Sequence, residues 1–425
     1  MSVSSASTFS ASTPAVSACG REHFPLTSPM LDDPRPFYAR ARREEPVFWS
    51  ESLGLWVVTR YADVCSVAKD AARFSSVDSI TPQPSTVPPP PELLAELVKG
   101  FPLLPSLVTS DPPAHTQSRA LVTKALSLRR LAAFDPILRE IAEGLVDRFA
   151  ARGRVELVEA FAIALPGSFI IDLLGLPRED LAQVNQWAND STEVFAMQKP
   201  VAQLVEHARG FVAYQHYLAA AIEERRASPR DDALSDIVTG ADALDQPFAM
   251  PELINMLLQV IFAGYETAAG LIAAGALELA RDPELFSAAR QDPAVIPPMI
   301  EEVLRTASPI HAMYRTANED VELGGAQIRK GDRLQIAYIS ANHDERRFEE
   351  PHRFDIHRTT PHLAFGHGIH FCIGAPLARL EGRIALEVLT RRLPNLRLVP
   401  DQQLTYFPSA TARRLESLEL EWDVP

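Results

Sequence analysis

Hydrophobic residues along this chain recur mainly three and four positions apart, the spacing of helices with one buried face. Arg130 to Ala151, Val155 to Leu174, Leu181 to Ala196 and Val201 to Arg225 each read this way, with Gly and Pro between them. The segment from Pro251 to about Ala280 differs, because it is apolar nearly all round. At 1.5 Å per residue it spans roughly 45 Å, the width of a large domain. Asn255, Gln259 and Glu266 inside it argue against a membrane span and for a central core helix. Strand-like alternation is confined to short stretches. Pro46–Trp49 and Leu55–Tyr61 flank Gly54 as a hairpin, followed by a short helix from Ala62 to Lys69. Pro309 to Arg315, Asp320 to Ile336 and Leu415 to Trp422 also alternate, and Tyr406 to Arg413 turns inward before the last of these. Prolines 82, 84, 88 to 91, 102 and 105 break residues 78–109 into loop, with room for two helical turns from Glu92 to Lys99. No tandem repeat is present.

Composition narrows the function. Nearly half of the 425 residues are hydrophobic, enough for a large core. A net charge of −14 argues against a nucleic-acid binder. Three cysteines, Cys19, Cys65 and Cys372, cannot build a disulfide framework or supply an iron–sulfur cluster by themselves, which fits a reducing cytoplasm. Residues 1–24 are rich in Ser, Ala and Thr, with no basic start or apolar run. They read as a disordered tail rather than a signal or anchor, ahead of one domain over residues 25–425.

The chemistry concentrates at Phe365-Gly-His-Gly-Ile-His-Phe-Cys372-Ile-Gly374, just before a helix opening near Pro376. A cysteine there meets free backbone N–H groups and the positive helix end, which favour thiolate. The glycines leave room for a flat group to approach the backbone, and Phe365 can cover the sulfur. A thiolate open on one side suits a haem iron. Two other readings stand beside it: a plain buried thiol, and a zinc site built from His362, His367, His370 and Cys372. Structural zinc normally draws on paired ligand spacings, and the chain has no second pair. On the central helix, Gly264 gives a ligand access to the backbone. Thr267 can bond back to the Ala263 carbonyl, and Glu266 is a carboxylate among apolar neighbours that needs a partner or a purpose.

Phe365-x-x-Gly-x-His370-x-Cys372-x-Gly374 resembles the haem-binding loop of the cytochrome P450 superfamily, soluble bacterial type. Ala263-Gly-x-Glu266-Thr267 resembles its oxygen-activation motif, and Glu302-x-x-Arg305 with Arg358 its structural trio. The motifs occur in family order over roughly residues 25 to 425. The resemblance implies a mainly α fold, with a large helical lobe and a small β-rich lobe. It also implies haem b on Cys372, with His115, Arg119, Arg315 and His370 holding the propionates, and Ala263, Gly264, Phe365 and Gly374 around the ring. Glu266 and Thr267 would deliver protons during dioxygen activation. The implied reaction is hydroxylation or epoxidation of a lipophilic terpenoid, steroid, fatty acid or polyketide. Leu103, Val108, Phe262, Ala263, Ala312, Met313 and Thr411 are the pocket candidates, with Trp187, Phe195 and Met197 as possible roofing. Electrons would come from a ferredoxin and its NAD(P)H-dependent reductase. These would dock on Arg379, Arg383, Arg391 and Arg392, unless those arginines are merely a solvated helix face. The expected form is a cytoplasmic monomer without a membrane anchor. Peroxide-driven, non-oxidative and non-catalytic relatives are the alternatives. The first two usually depart from the acid–alcohol pair, and the third has usually lost the cysteine.

Overall fold

The central helix runs from Met250 to Arg281, with Pro251 in its first turn and Glu252 accepting from the Ala249 N–H at 2.7 Å. Leu253–Leu257 and Ala268–Ala273 along it are buried. Among the described residues it is the one helix long and apolar enough to cross a membrane, but it lies inside the largest hydrophobic cluster. The computed structural model describes residues 16–83 and 88–424. Residues 1–15 of the expected tail and 84–87 of the proline-rich stretch fall outside these.

A second long helix, Ala375–Arg392, crosses the central one where both lack side chains. A Cβ on Gly275 would come within 2.8 Å of Leu386 Cδ1, and one on Gly382 within 3.0 Å of Leu271 Cδ2. The two backbones can therefore approach closely. Around them pack Asp135–Asp147, Ala164–Leu174, Leu181–Ala196, Val201–Ala227 and Ile296–Ala307, and the chain is 55% helical.

The β-structure sits to one side. A five-stranded sheet has the order Val47–Ser50, Leu55–Val58, Arg333–Ile336, Met313–Ala317, Phe74–Ser75. The expected hairpin is its edge, with Val47 opposite Val58 and Ser50 opposite Leu55. Arg333–Ile336 runs parallel to Leu55–Val58 and antiparallel to Met313–Ala317.

Four segments depart from the sequence reading. Residues 16–24 are not a loose tail: Ala18–Glu22 is helical, Ser17 caps it, and Cys19 and His23 are buried. Val155 to Leu174 is not one helix. Arg154–Glu156 pairs as a strand with Glu419–Glu421, then a π-helical turn covers Val158–Ile163 before the α-helix from Ala164. Arg130 to Ala151 likewise divides, into Leu128–Ala133 and Asp135–Asp147, at Phe134 and ahead of Pro136. The last strand covers only Glu419–Glu421 of the expected Leu415 to Trp422, because Leu415 instead bridges to Tyr406.

Candidate active site

Between its buried ends the central helix opens. Phe262 is 44% exposed, Ala263 is exposed, and Gly264 to Thr267 are half-buried. A Cβ on Gly264 would meet nothing within 4 Å. Thr267 Oγ1 donates to the Ala263 carbonyl at 2.7 Å, the back-bond expected of it. This open stretch lies N-terminal to the helix crossing, and so does the cysteine loop on the other helix.

That loop is shaped by Gly366 and Gly368, at φ +72° and +74°, where only glycine is unstrained. Gly368 also lies so close to the helix Tyr61–Lys69 that a Cβ would be 2.5 Å from the Ala68 carbonyl oxygen. Cys372 N–H donates to the Phe365 carbonyl at 2.8 Å. Burial pushes the thiol up. The backbone N–H of Gly374 and of Ala375 and the guanidiniums of Arg119 and Arg379 oppose this and favour thiolate. Among the described residues no three His, Cys, Asp or Glu side chains gather as a metal cluster, so the histidines of the loop do not form a zinc site with Cys372.

Four basic groups converge on the loop. The His115 and His370 rings are 4.1 Å apart, and the buried His370 Nε2 has no partner among the described residues. Burial, then Arg315, His115 and Arg119 in turn, hold the His370 imidazole down to about 3. Arg119 Nη2 donates to the Phe371 carbonyl at 2.7 Å, and the buried Arg315 donates to the Tyr314 carbonyl at 2.7 Å. Neither arginine has a carboxylate in ion-pair contact among the described residues. Burial lowers both of their pKa values. Two arginines without an ion-pair partner, beside two neutral imidazoles that can donate, make a site for an anion with carboxylates of its own. Together with the open backbone at Gly264 and the cysteine, they fit a porphyrin with two propionates.

The family model for cytochrome P450 matches residues 96–405. The chain belongs to the cytochrome P450 family. It is 37% identical over 398 residues to the cytochrome P450 monooxygenase PikC of Streptomyces venezuelae, covering 92% of this chain and 91% of the relative. It is 38% identical over 392 residues to the mycinamicin IV hydroxylase/epoxidase of Micromonospora griseorubida, covering 89% and 92%. The structure of cytochrome P450 CYP109Q5 from Chondromyces apiculatus superposes with a TM-score of 0.82 at 35% identity, covering 94% of this chain and 98% of that one. The chain is thus a P450 monooxygenase with a haem-thiolate cofactor, of the kind bacteria supply with electrons through ferredoxin and reductase.

In this P450 Glu302 and Arg305 are buried, and Arg358 is half-buried beside them. Arg305 grips Glu302 through two bonds of 2.7 and 2.8 Å, and Arg358 Nε lies 3.5 Å from the same carboxylate. Arg305 also donates to the carbonyls of Asn342, Pro351 and Arg353, and Glu302 accepts from the Asp355 N–H. The trio therefore pins the stretch leading to the cysteine loop.

Other expectations change. Glu266 is not without a partner: Arg414 Nε lies 3.7 Å from its Oε1. The sequence reading missed Arg414, which stands 148 residues further on. Ala312, just before the strand Met313–Ala317, is only 1% exposed, so it does not line an open pocket, whereas Met313 is half-buried. Leu103 is 53% exposed. Val108 is half-buried, with its N–H on Gln259 Oε1, and the Thr411 hydroxyl donates to the Ile80 carbonyl. Trp187 stacks on the buried Tyr214 as core, while Phe195 and Met197 are exposed. The arginines of Ala375–Arg392 are not a free basic face. Arg383 pairs with Asp135 and Glu387, Arg391 and Arg392 with Glu143, and Arg379 with Glu301.

Proposed function

We propose that this P450 binds haem b through Cys372 and hydroxylates or epoxidises a polyketide of the macrolide kind, drawing electrons from a ferredoxin and its reductase. The observation that carries the haem assignment is the cluster of His115, Arg119, Arg315 and His370 around the loop that presents Cys372, in which neither arginine has an ion-pair contact among the described residues. The haem, once bound, supplies reductive activation of dioxygen, and a thiolate ligand favours O–O cleavage.

The chain's own groups then have distinct tasks. Gly374 and Ala375 N–H groups and the Arg119 and Arg379 guanidiniums oppose the effect of burial and ease ionisation of the sulfur toward a metal. The four basic side chains would hold the propionates. Thr267 keeps a hydroxyl at the opened turn of the central helix, where it can hold a proton-bearing water. Glu266, partnered by Arg414 and half-buried, moves protons from solvent toward that hydroxyl. Phe262, Ala263, Leu103, Val108, Met313 and Thr411 supply mostly apolar surface for a lipophilic substrate. The relative named for mycinamicin IV favours a polyketide over a terpenoid, steroid or fatty acid.

The test is a panel of macrolides, steroids, terpenoids and fatty acids, scored by the haem spectral shift on binding and then by product with NADH, ferredoxin and reductase. Macrolides should shift the spectrum and be oxidised. A shift confined to steroids or fatty acids would reject the substrate class while leaving the reaction intact.

A further inference from the structure

Of the four arginines on and after the turn at Cys372, Arg379 alone leans back on the cysteine loop. Arg383, Arg391 and Arg392 reach outward to Asp135 and Glu143 and tie down the helix Asp135–Asp147. Arg379 Cζ lies 4.6 Å from the centroid of the Phe365 ring, in cation–π contact. Phe365 is buried, and its carbonyl receives the Cys372 N–H. The guanidinium is fixed there by Glu301, which accepts from Arg379 Nε at 2.7 Å and Nη2 at 2.8 Å as a two-pronged fork. A third group fixes Glu301. His362 Nδ1 accepts from the Ala364 N–H at 3.1 Å, so in the neutral ring the proton sits on Nε2, which faces Glu301 Oε2 at 3.3 Å. The helix Ile296–Ala307 and the cysteine loop thus hold one cation against the Phe365 ring.

A surface ion pair alone does little. This one is 39% exposed on both sides, yet its cation also rests on a buried aromatic. Arg379 is among the charges that act on the Cys372 sulfur, where it favours the anionic form.

We propose that Arg379 is a positioning residue that sets the electron richness of the Cys372 sulfur through Phe365, with Glu301 as the partner that fixes and partly offsets its charge. The proposal rests on Cys372 being the haem ligand. A fixed positive charge near the iron favours the reduced state, so removing it lowers the reduction potential. Removing the compensating carboxylate raises it.

Spectroelectrochemistry on the haem-loaded protein tests this, using Arg379→Gln, Arg379→Lys, Glu301→Gln and the Arg379→Gln/Glu301→Gln double variant. The potential should fall in Arg379→Gln, rise in Glu301→Gln and return toward the parent in the neutral double variant. Arg379→Lys should keep most of the potential but lose the thiolate carbonyl spectrum faster in mild urea, because an ammonium lacks the fork and the flat stack. A merely structural role would move Arg379→Gln and Glu301→Gln in the same direction, or neither, and either result overturns the proposal. Should Arg379→Gln fail to hold haem, an unshifted Glu301→Gln is enough to overturn it. A parent protein without the red-shifted carbonyl spectrum overturns the ligand assignment and this inference together. A parent with that spectrum and unsplit potentials overturns the inference alone.

Discussion

At Cys372 burial raises the thiol, and two backbone N–H groups and two guanidiniums oppose it, so that less is needed to ionise the sulfur when a metal binds. A serine hydroxyl in the same place is a far weaker acid, and those donors cannot make up the difference. Cys372→Ser should therefore lose the red-shifted carbonyl spectrum of thiolate ligation, and a mutant that keeps it with haem bound would disprove the ligand. Thr267 poses a separate question, because its hydroxyl already donates to the Ala263 carbonyl at 2.7 Å. Removing it leaves the apolar surface intact but takes away the donor at the opened turn. Thr267→Ala should bind haem and substrate normally while diverting most NADH-derived electrons to hydrogen peroxide. Glu266→Gln keeps the shape and removes the acid, so it should slow turnover roughly 10²-fold or more, the scale of lost acid–base catalysis. Product, peroxide and NADH measured together decide the point. Equal product per NADH in Thr267→Ala and the parent removes its role in proton delivery.

At the scale of elements, local pattern carried some segments and failed others for identifiable reasons. The central helix, expected from Pro251 to about Ala280, spans Met250–Arg281, because its proline start and continuous apolar run are local signals. Leu181–Ala196 coincides with its expectation, and the cysteine loop and the Glu302–Arg305 pair were likewise visible as short motifs. The π-helical turn at Val158–Ile163 was not visible, since apolar periodicity cannot tell a wider turn from an α-helix. Arg414 beside Glu266, and Asp135 and Glu143 against the arginines of Ala375–Arg392, were invisible because each partner is contributed by a distant part of the chain. The crossing of the two long helices is also a tertiary fact, and it can be tested by glycine replacement. Gly275→Val forces a branched side chain against the fully buried Leu386 and should destabilise by about 1–3 kcal/mol through overpacking. Gly144→Ala, in the exposed interior of Asp135–Asp147 with nothing within 4 Å of its Cβ, should stabilise by about 0.5–1 kcal/mol. Denaturant midpoints moving in the same direction for both would contradict the close crossing.

Away from the cysteine loop, His23, His311 and His343 are buried as neutral rings. Burial is the first cause at each: His23 and His343 are held down to about 3, and His311 to about 4. Nearby charges add to this, namely His311 at His23, Arg413 at His311, and Arg305, His352 and Arg35 at His343. The hydrogen bonds agree, since His23 sits between the Ser50 and Tyr38 hydroxyls, while His343 Nδ1 faces the Ile339 carbonyl and its Nε2 has no partner. In the unfolded chain each histidine takes up a proton near its ordinary value of about 6.5. Between that pH and the folded values the unfolded state binds more protons, so the stability from these groups is complete above about 6.5 and is lost as pH falls. Glu381 acts in the opposite sense. Burial raises its carboxyl to about 8, so it favours the folded state at low pH and counts against it as pH rises from its ordinary value toward 8. Each proton is worth about 1.4 kcal/mol per pH unit, so these three rings and Glu381 together contribute a net fall of roughly 3 kcal/mol per unit just below pH 6 and a shallower decline between 6.5 and 8. Maximum stability is therefore expected near pH 6.5. Glu381→Gln should flatten the alkaline side and leave the acid side steep. Denaturant midpoints at pH 5, 6.5 and 8 for the parent and this variant measure both limbs, and a parent equally stable at pH 5 and 6.5 would show that the three rings do not stay neutral in the folded core.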